Sequence, residues 1–333
     1  MASEVAESDS RLPTVLAFGL VYVIWGSTYL AIRIAVQSIP PATIGALRFL
    51  IGGLLLLSYC AARNKEVWPN RRALFQLGVV GVLLLTGGNA VVNWAERYVT
   101  SSLAALIVAL VPIWVAIIEA FVIRTARLST RGVLGLVLGL FGLLVLLWPR
   151  LHGESAVRDT HMAGAVLLMF ASLSWASGSV LSKQWNLTID PFVATAWEMI
   201  IGGTANGMLS IMLKEWPRAN WTNAALVAVA YLTICGSVVA FTAYIWLLNH
   251  VSTAKVATYA YVNPVIAVVL GWLLLNEPLD AFVVAGAGAI VIAVVLVTTA
   301  KIVKPKVSPY QNPNDSRAPF SGYVTEPEDR KLS

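Results

Sequence analysis

The sequence predicts an all-α integral membrane protein, built from ten transmembrane helices arranged as two inverted five-helix repeats. Three observations lead there. The chain holds long apolar runs almost without charge, it matches itself at a shift of 150 residues, and its Lys and Arg residues collect on alternate loops.

Of 333 residues, 58% are hydrophobic and 12% charged. A soluble chain carries about twice that charged fraction. The apolar residues form runs such as Leu134–Trp148 and Ala281–Ala300. About 20 residues at ~1.5 Å rise cross the ~30 Å hydrocarbon core of a bilayer. Only helices or closed barrels satisfy every backbone polar group in lipid, and barrel strands alternate polar and apolar. These runs do not alternate, so they are expected to be helices.

Taken in order, the first span covers 14–35, after the polar segment Met1–Arg11. That segment has neither the basic start nor the short apolar core of a cleaved signal peptide, so the first run should be retained. The second span, 42–61, opens after Pro40-Pro41 and closes before Arg63. The third, 74–93, follows Arg71-Arg72, and the fourth, 101–123, stops at Arg124. The fifth is 131–148, and a linker over 149–161 leads to the sixth, 162–183. The seventh, 191–213, starts at Pro191. The remaining spans are 225–247, 256–275 and 281–300. Residues 1–13 read as a cytoplasmic tail. The segment 301–333, with five prolines among polar residues, reads as a disordered one.

With the N-terminus in the cytoplasm, the cytoplasmic segments hold 16 Lys and Arg and the external ones 7. This bias predicts both termini inside a plasma-membrane protein. The net charge of +6 sits at helix ends and in the tail, so no nucleic-acid partner is expected. Cys60 and Cys235 lie inside apolar runs and suit small core residues.

At a shift of 150, Trp25 falls on Trp175, Ser27 on Ser177, Arg33 on Lys183, Pro41 on Pro191, and Gly52-Gly53 on Gly202-Gly203. A shift of 152 places Trp94 on Trp246, Val99 on Val251 and Pro112 on Pro264. Each half, 14–148 and 162–300, carries five spans. Five is odd, so the second half should enter the membrane inverted, a plan that recurs in secondary transporters.

The first half carries Trp25-Gly26-Ser27-Thr28 running to Arg33, then Pro40-Pro41 and Arg48-Phe49 before Gly52. The second runs from Ser252-Thr253-Ala254 through Tyr259-Ala260-Tyr261-Val262-Asn263-Pro264 to Leu270-Gly271 and Asn276-Glu277. Over about residues 14–300 the chain resembles the EamA-type permeases of the drug/metabolite transporter superfamily, of the YedA type. Members usually carry a Glu before the last span of the first half; here the stretch is Arg124-Thr125-Ala126-Arg127-Leu128. Glu277 is therefore read as a helix-end residue. The resemblance implies secondary active export or exchange of a small metabolite, amino acid or drug.

Charged side chains inside a bilayer cost at least ~2.5–3.5 kcal/mol and therefore face partners or cavities. Arg48, Glu119 and Glu198 lie well inside spans, with Glu96 near the outer end of the third. Arg48 sits roughly 10 Å below the outer face and Glu198 roughly 10 Å from the cytoplasmic one, so the two cannot pair directly. By depth, Glu96 is the expected partner of Arg48, and Glu198 is expected near Lys183, Glu119 and Arg124. Two readings stand: structural ion pairs at each face, or a proton-coupling carboxylate at Glu198 or Glu119.

For a substrate site the polar and aromatic candidates are Trp25 and Tyr29, their counterpart Trp175, and Asn89, Asn93 and Trp94 of the third span. Tyr259, Tyr261 and Asn263, beside the helix-kinking Pro264, complete the set. Asn89 and Asn93 are four apart, hence on one helical face. Gly135-x-x-x-Gly139 and Ala285-Gly286-Ala287-Gly288 permit close helix approach, which marks the fifth and tenth spans as packing or homodimer surfaces. The expected partners are the lipid bilayer, a small molecule and protons. No cofactor or metal is expected. The competing classes are a membrane enzyme and a receptor or non-transport structural membrane protein; the three histidines form no paired metal motif, neither G-x-S-x-G nor a nucleotide-binding G-x-x-x-x-G-K-[ST] appears, and no ligand or signalling domain supports the second.

Overall fold

The computed structural model describes residues 2–98, 104, 107–124, 127–151, 162–275, 281–300 and 302–303. Ten principal helices run through them. They are α1 (Ala2–Val36), α2 (Pro41–Ala62), α3 (Arg71–Ala95), α4 (Val111–Ile123), α5 (Thr130–Leu151), α6 (Met162–Trp185), α7 (Pro191–Met212), α8 (Asn223–His250), α9 (Tyr259–Leu275) and α10 (Ala281–Thr298). Five stretches, Leu12–Val36, Pro41–Ala62, Arg71–Ala95, Ala163–Trp185 and Asn223–His250, are long and apolar enough to cross a membrane; Val111–Ile123, Thr130–Leu146 and Val284–Thr298 are shorter apolar helices. Large apolar side chains such as Phe75, Phe121, Val227 and Ile211 stand 69–74% exposed on the outside of the bundle. Water would penalise such a surface and lipid would not.

Three features differ from the expectations above. Helix α1 extends back to Ala2, through Pro13, where a tail was expected over 1–13. The fourth span, expected to run unbroken from 101, is helical at Ala104, Ile107 and Val108, turns at Ala109-Leu110, and resumes as a helix at Val111. The all-α expectation also misses a two-residue antiparallel ladder that pairs Arg127 with Val303 and Leu128 with Ile302. Two short extended pieces at adjacent helix ends satisfy each other's backbone there, and nothing periodic in the sequence announces it. The rest of the expected disordered tail, the linker 152–161 and Glu277 lie outside the described residues.

Helix ends follow local chemistry. Asn70 caps α3 by accepting from Ala73 N at 2.9 Å, and Asp190 caps α7 by accepting from Phe192 N at 2.9 Å. Pro41 and Pro191 occupy first-turn positions, where a missing N–H costs nothing. The N-cap of α2, Pro40, has no side chain to offer. Glu215, in the turn after α7, substitutes: its Oε2 accepts from Thr43 N at 3.0 Å and from Thr43 Oγ1 at 3.3 Å, with the residue 1% exposed. A carboxylate at a helix N-terminus meets the positive end of the dipole.

The centre of the fold is the contact of α2 with α7, which are equivalent helices of the two halves. Thr43 Oγ1 meets Ser210 Oγ at 2.7 Å, Gly45 faces Asn206, and Gly203 lies against Leu50. Residue numbers fall along one helix as they rise along the other, so the pair is antiparallel. The crossing is close because glycine stands at its centre twice. A Cβ on Gly53 would lie 2.9 Å from Ala196 O, and one on Gly203 2.8 Å from Leu50 N. Small residues that let backbones touch are the usual means of holding helices together without a hydrophobic driving force. The ends agree with this direction. On one side Lys65 Nζ bridges Asp190 Oδ2 at 2.6 Å and Trp197 Nε1 donates to Val67 O at 2.7 Å. On the other, Asn220 N donates to Ser38 O at 2.8 Å.

Helices α5 and α10 pack on each other in the same manner. A Cβ on Gly135 would meet Val297, one on Gly142 would meet Ala289, and one on Gly286 would meet Leu146. These small residues are thus used within the chain, to join the last helices of the two halves.

Helices α3 and α8 share a feature the sequence did not reveal. Val82–Ala90 and Leu232–Val239 are wound as π-helix, and the two segments start 150 residues apart. A π-turn leaves carbonyls out of the ordinary ladder and is common at functional sites. Here Leu83 O accepts from Ser174 Oγ at 2.8 Å, Leu85 O from Asn206 Nδ2 at 3.3 Å, and Gly236 O from Trp25 Nε1 at 3.1 Å. All three acceptors are met by other helices, as a membrane interior demands.

Candidate functional site

A central cavity with about 720 Å³ of empty space, its open mouth included, lies between α1, α2, α3, α4, α6, α8 and α9. It lies toward the end of the bundle where Ser38 and Asn220 meet. Its wall toward that end includes Thr28, Ile32 and Val92.

An aromatic layer seals the other end. Trp25 is 7% exposed and packs on Trp175, Tyr244 and Tyr259, with ring centroids 5.5, 5.0 and 4.9 Å away. Trp175 Nε1 donates to Tyr244 OH at 3.1 Å, and that hydroxyl also bonds Ser179 Oγ. Each tryptophan leans on the π-turn of the opposite half. Trp25 binds the Gly236 carbonyl, while a Cβ on Gly88 would come within 2.8 Å of the Trp175 ring. Glycine at 88 is what admits that ring.

Of the expected substrate residues, Trp25, Asn89, Trp175, Tyr259 and Asn263 line this cavity. Three do not. Tyr261 is fully buried against α5, where its hydroxyl donates to Leu136 O at 3.2 Å. Asn93 is fully buried outside the cavity wall, with neither amide atom bonded. Trp94 is half-buried and also absent from the wall. Tyr29 belongs to α1, and its side chain lies outside the described residues. Phe49, Phe241, Ser172 and the glycines Gly88 and Gly236 were not foreseen. The two glycines carried a usable signal, since glycine within an apolar span often marks close approach of another group.

The charges redistribute relative to expectation. Arg48, 4% exposed, lines the cavity. Its Nε donates to Ser237 Oγ at 2.6 Å and its Nη1 reaches Asn89 Oδ1 at 3.5 Å. It makes no ion pair with Glu96 within 4.0 Å. Depth permitted that pair, but Arg48 turns toward α8, and Glu96 lies in the field of Arg33 instead. Glu119 and Lys183 are electrostatic neighbours, and Lys183 Nζ donates to Asn249 O at 3.3 Å. Among the described residues Glu198 has no cationic partner within 4.0 Å. It is 1% exposed, its Oε2 has no hydrogen-bond partner, and it lines a second, smaller cavity with Ser182, Trp185, Ile189, Ala194 and Asn249. That pocket lies near Asp190, at the end of the bundle opposite the large cavity's mouth.

The two cavities are related. Ile32 and Arg48 line the large one; their counterparts 150 residues on, Ser182 and Glu198, line the small one. The cavity of one half is about 720 Å³ and that of the other about 340 Å³.

The duplication and its helical content are matched in known proteins. The pattern of the EamA-like transporter family fits residues 12–148 and again 162–299. The chain belongs to that family. It is 38% identical to the inner membrane transporter YedA of Escherichia coli over 90% of this chain and 95% of that one. The transporter YoaV of Bacillus subtilis is 26% identical over 80% of this chain and 90% of its own. A solved structure titled "Crystal structure of protein" superposes with a TM-score of 0.71 at 21% identity, covering 86% of this chain and 97% of that one, and so shares the fold. This EamA family member is accordingly a multi-pass membrane protein of a transporter family.

Proposed function

We infer that the protein is a secondary active transporter of a small molecule. The large cavity is its substrate site, and two inverted five-helix repeats spanning the membrane ten times exchange access between the two faces. The observation that carries this is the relation of the cavities: two pairs of equivalent residues, Ile32 with Ser182 and Arg48 with Glu198, line a larger chamber toward one end and a smaller one toward the other. If the halves exchange conformations, the chamber closes at Arg48 and opens at Glu198. The antiparallel contact of α2 with α7 supports inversion, since the two are equivalent helices. With the N-terminus cytoplasmic, both termini lie inside and the open chamber faces outward.

Glu198 is the coupling carboxylate of this scheme. It is buried with no cation among the described residues, beside Tyr244, whose hydroxyl accepts from Trp175 in the cavity floor. Proton binding there would be sensed at the substrate site. Glu119, with Lys183 beside it, is the structural member.

The test is uptake of a labelled metabolite library into proteoliposomes holding the purified chain, with and without a pH gradient. At least one compound should move faster than into protein-free liposomes. No movement of any compound under either condition would refute transport.

A further inference from the structure

Among the described residues Arg48 has no counter-ion. Its partners Ser237 Oγ and Asn89 Oδ1 are neutral, its guanidinium carbon lies 4.9 Å from the Phe49 ring centre, and no described carboxylate lies within 4.0 Å. Neutral dipoles orient a guanidinium but leave its charge in place, and an uncompensated buried charge is strongly destabilising. In membrane helices such charges are kept where a pathway or ligand uses them. Among the described residues the Nη2 edge has no hydrogen-bond partner. It abuts Gly236, whose missing side chain leaves that edge open: a Cβ there would lie 3.0 Å from Nη2. Elsewhere on the wall Asn263, 2% exposed, presents an Oδ1 with no partner. The remaining surface is mostly apolar and aromatic, from Trp25, Phe49 and Trp175.

We propose that the cavity binds a small organic monocarboxylate. The carboxylate takes the Nη1/Nη2 edge of Arg48, the apolar body lies among the rings, and a hydroxyl or ammonium group on the ligand donates to Asn263 Oδ1. The planar fork of arginine matches a carboxylate bidentately, which a lysine cannot do. Ligand binding then completes an ion pair that the protein leaves half-made. This rests on the large cavity being the transport site, and adds the sign of the substrate's charge.

The experiment uses the full chain in lipid nanodiscs. A panel of monocarboxylates with aliphatic and aromatic bodies, 3-phenyllactate among them, is compared with the matching neutral amides and with 2-phenylethylamine. Thermal stabilisation and quenching of tryptophan fluorescence report binding. At least one carboxylate should bind roughly ten- to a hundredfold more tightly than its amide, the factor expected for a charge-assisted pair. Arg48→Gln should remove that advantage, and Arg48→Lys should keep part of it. If Arg48→Gln does not fold, the comparison of acid with amide on the unaltered protein decides alone. Amides binding as well as acids, no binding by any acid, or the same response to sodium chloride would each overturn the proposal. Uptake of a neutral compound with no preference for acids would reject the anion subsite and leave transport standing. Tight acid binding with no uptake of anything would do the reverse.

Discussion

Trp25 and Trp175, at equivalent places in the two halves, meet edge to face with ring centroids 5.5 Å apart and an interplanar angle of 81°. Each is held by a residue of α8, Trp25 by Gly236 O and Trp175 by Tyr244 OH. The floor of the cavity is thus a joint between the repeats. Edge-to-face aromatic pairs contribute about 0.5–1.5 kcal/mol beyond the area they bury. A double-mutant cycle of Trp25→Ala and Trp175→Ala, read by chemical unfolding in detergent, should show coupling of about that size. Strict additivity would mean that the rings do not support one another.

Opposite exposure of two loops follows from the antiparallel α2 and α7. With Cys60 and Cys235 replaced by Ser, single cysteines at Glu66 and Asn220 should react with a membrane-impermeant thiol reagent from opposite sides of the membrane. Both positions are exposed. Labelling of both from the same side would contradict the arrangement.

Glu198→Gln mimics a permanently protonated carboxylate. Substrate exchange should survive, and accumulation driven by a pH gradient should fall to the level of passive equilibration. Normal gradient-driven accumulation by the Gln variant would remove Glu198 from the coupling path. Glu119→Gln should behave differently, lowering folded yield while sparing the coupling of the protein that folds.

Two contacts at equivalent positions hold the ends of the α2–α7 pair, and they should differ in strength. Lys65 and Asp190 are 31% and 34% exposed. Water and salt screen such a pair, so Lys65→Ala should cost no more than about 1 kcal/mol. Glu215, buried on the N-terminus of α2, satisfies Thr43 N. Glu215→Ala should cost roughly 1–3 kcal/mol, because that amide is left without a partner. Unfolding midpoints of the two variants, measured in the same detergent, give the order; the reverse order would show that Glu215 is not the cap.

Glycine positions separate into tight and open. A Cβ on Gly81 would lie 2.3 Å from Glu198 O, whereas one on Gly288 meets nothing within 4 Å. Gly81→Ala should lose about 1–3 kcal/mol through forced backbone movement. Gly288→Ala should gain up to about 1 kcal/mol from helix propensity. Equal effects would mean that α3 and α7 do not touch there.

The helices were legible because runs of apolar residues and the breaks between them are one-dimensional signals. So was much of the cavity: Trp25, Trp175, Asn89, Tyr259 and Asn263 are aromatic or amide residues where lipid would select neither. What failed was direction around each helix. Tyr259 and Tyr261 are two apart and therefore on different faces, one toward the cavity and the other toward α5. Asn89 and Asn93 are four apart on one side of α3, yet only Asn89 lines the cavity, while Asn93 is buried a turn further along. Arg48 and Glu96 agreed in depth, and depth alone does not say which neighbour a side chain turns to. None of these outcomes is written in spacing, because each depends on which helix packs alongside.

The contact of α2 with α7 resembles the seam of a two-fold dimer whose subunits have been joined end to end. A real two-fold dimer is held to one rule: whatever side chain one subunit places at a position, the other must place there too. Two arginines, or two glutamates, would then occupy positions 48 and 198. Covalent linkage lifts that rule. The halves keep the common scaffold, with its paired tryptophans, prolines and glycines, while a basic Arg48 and an acidic Glu198 stand at the same station. A single chain can therefore give its two cavities different chemistry, which a pair of identical chains could not do.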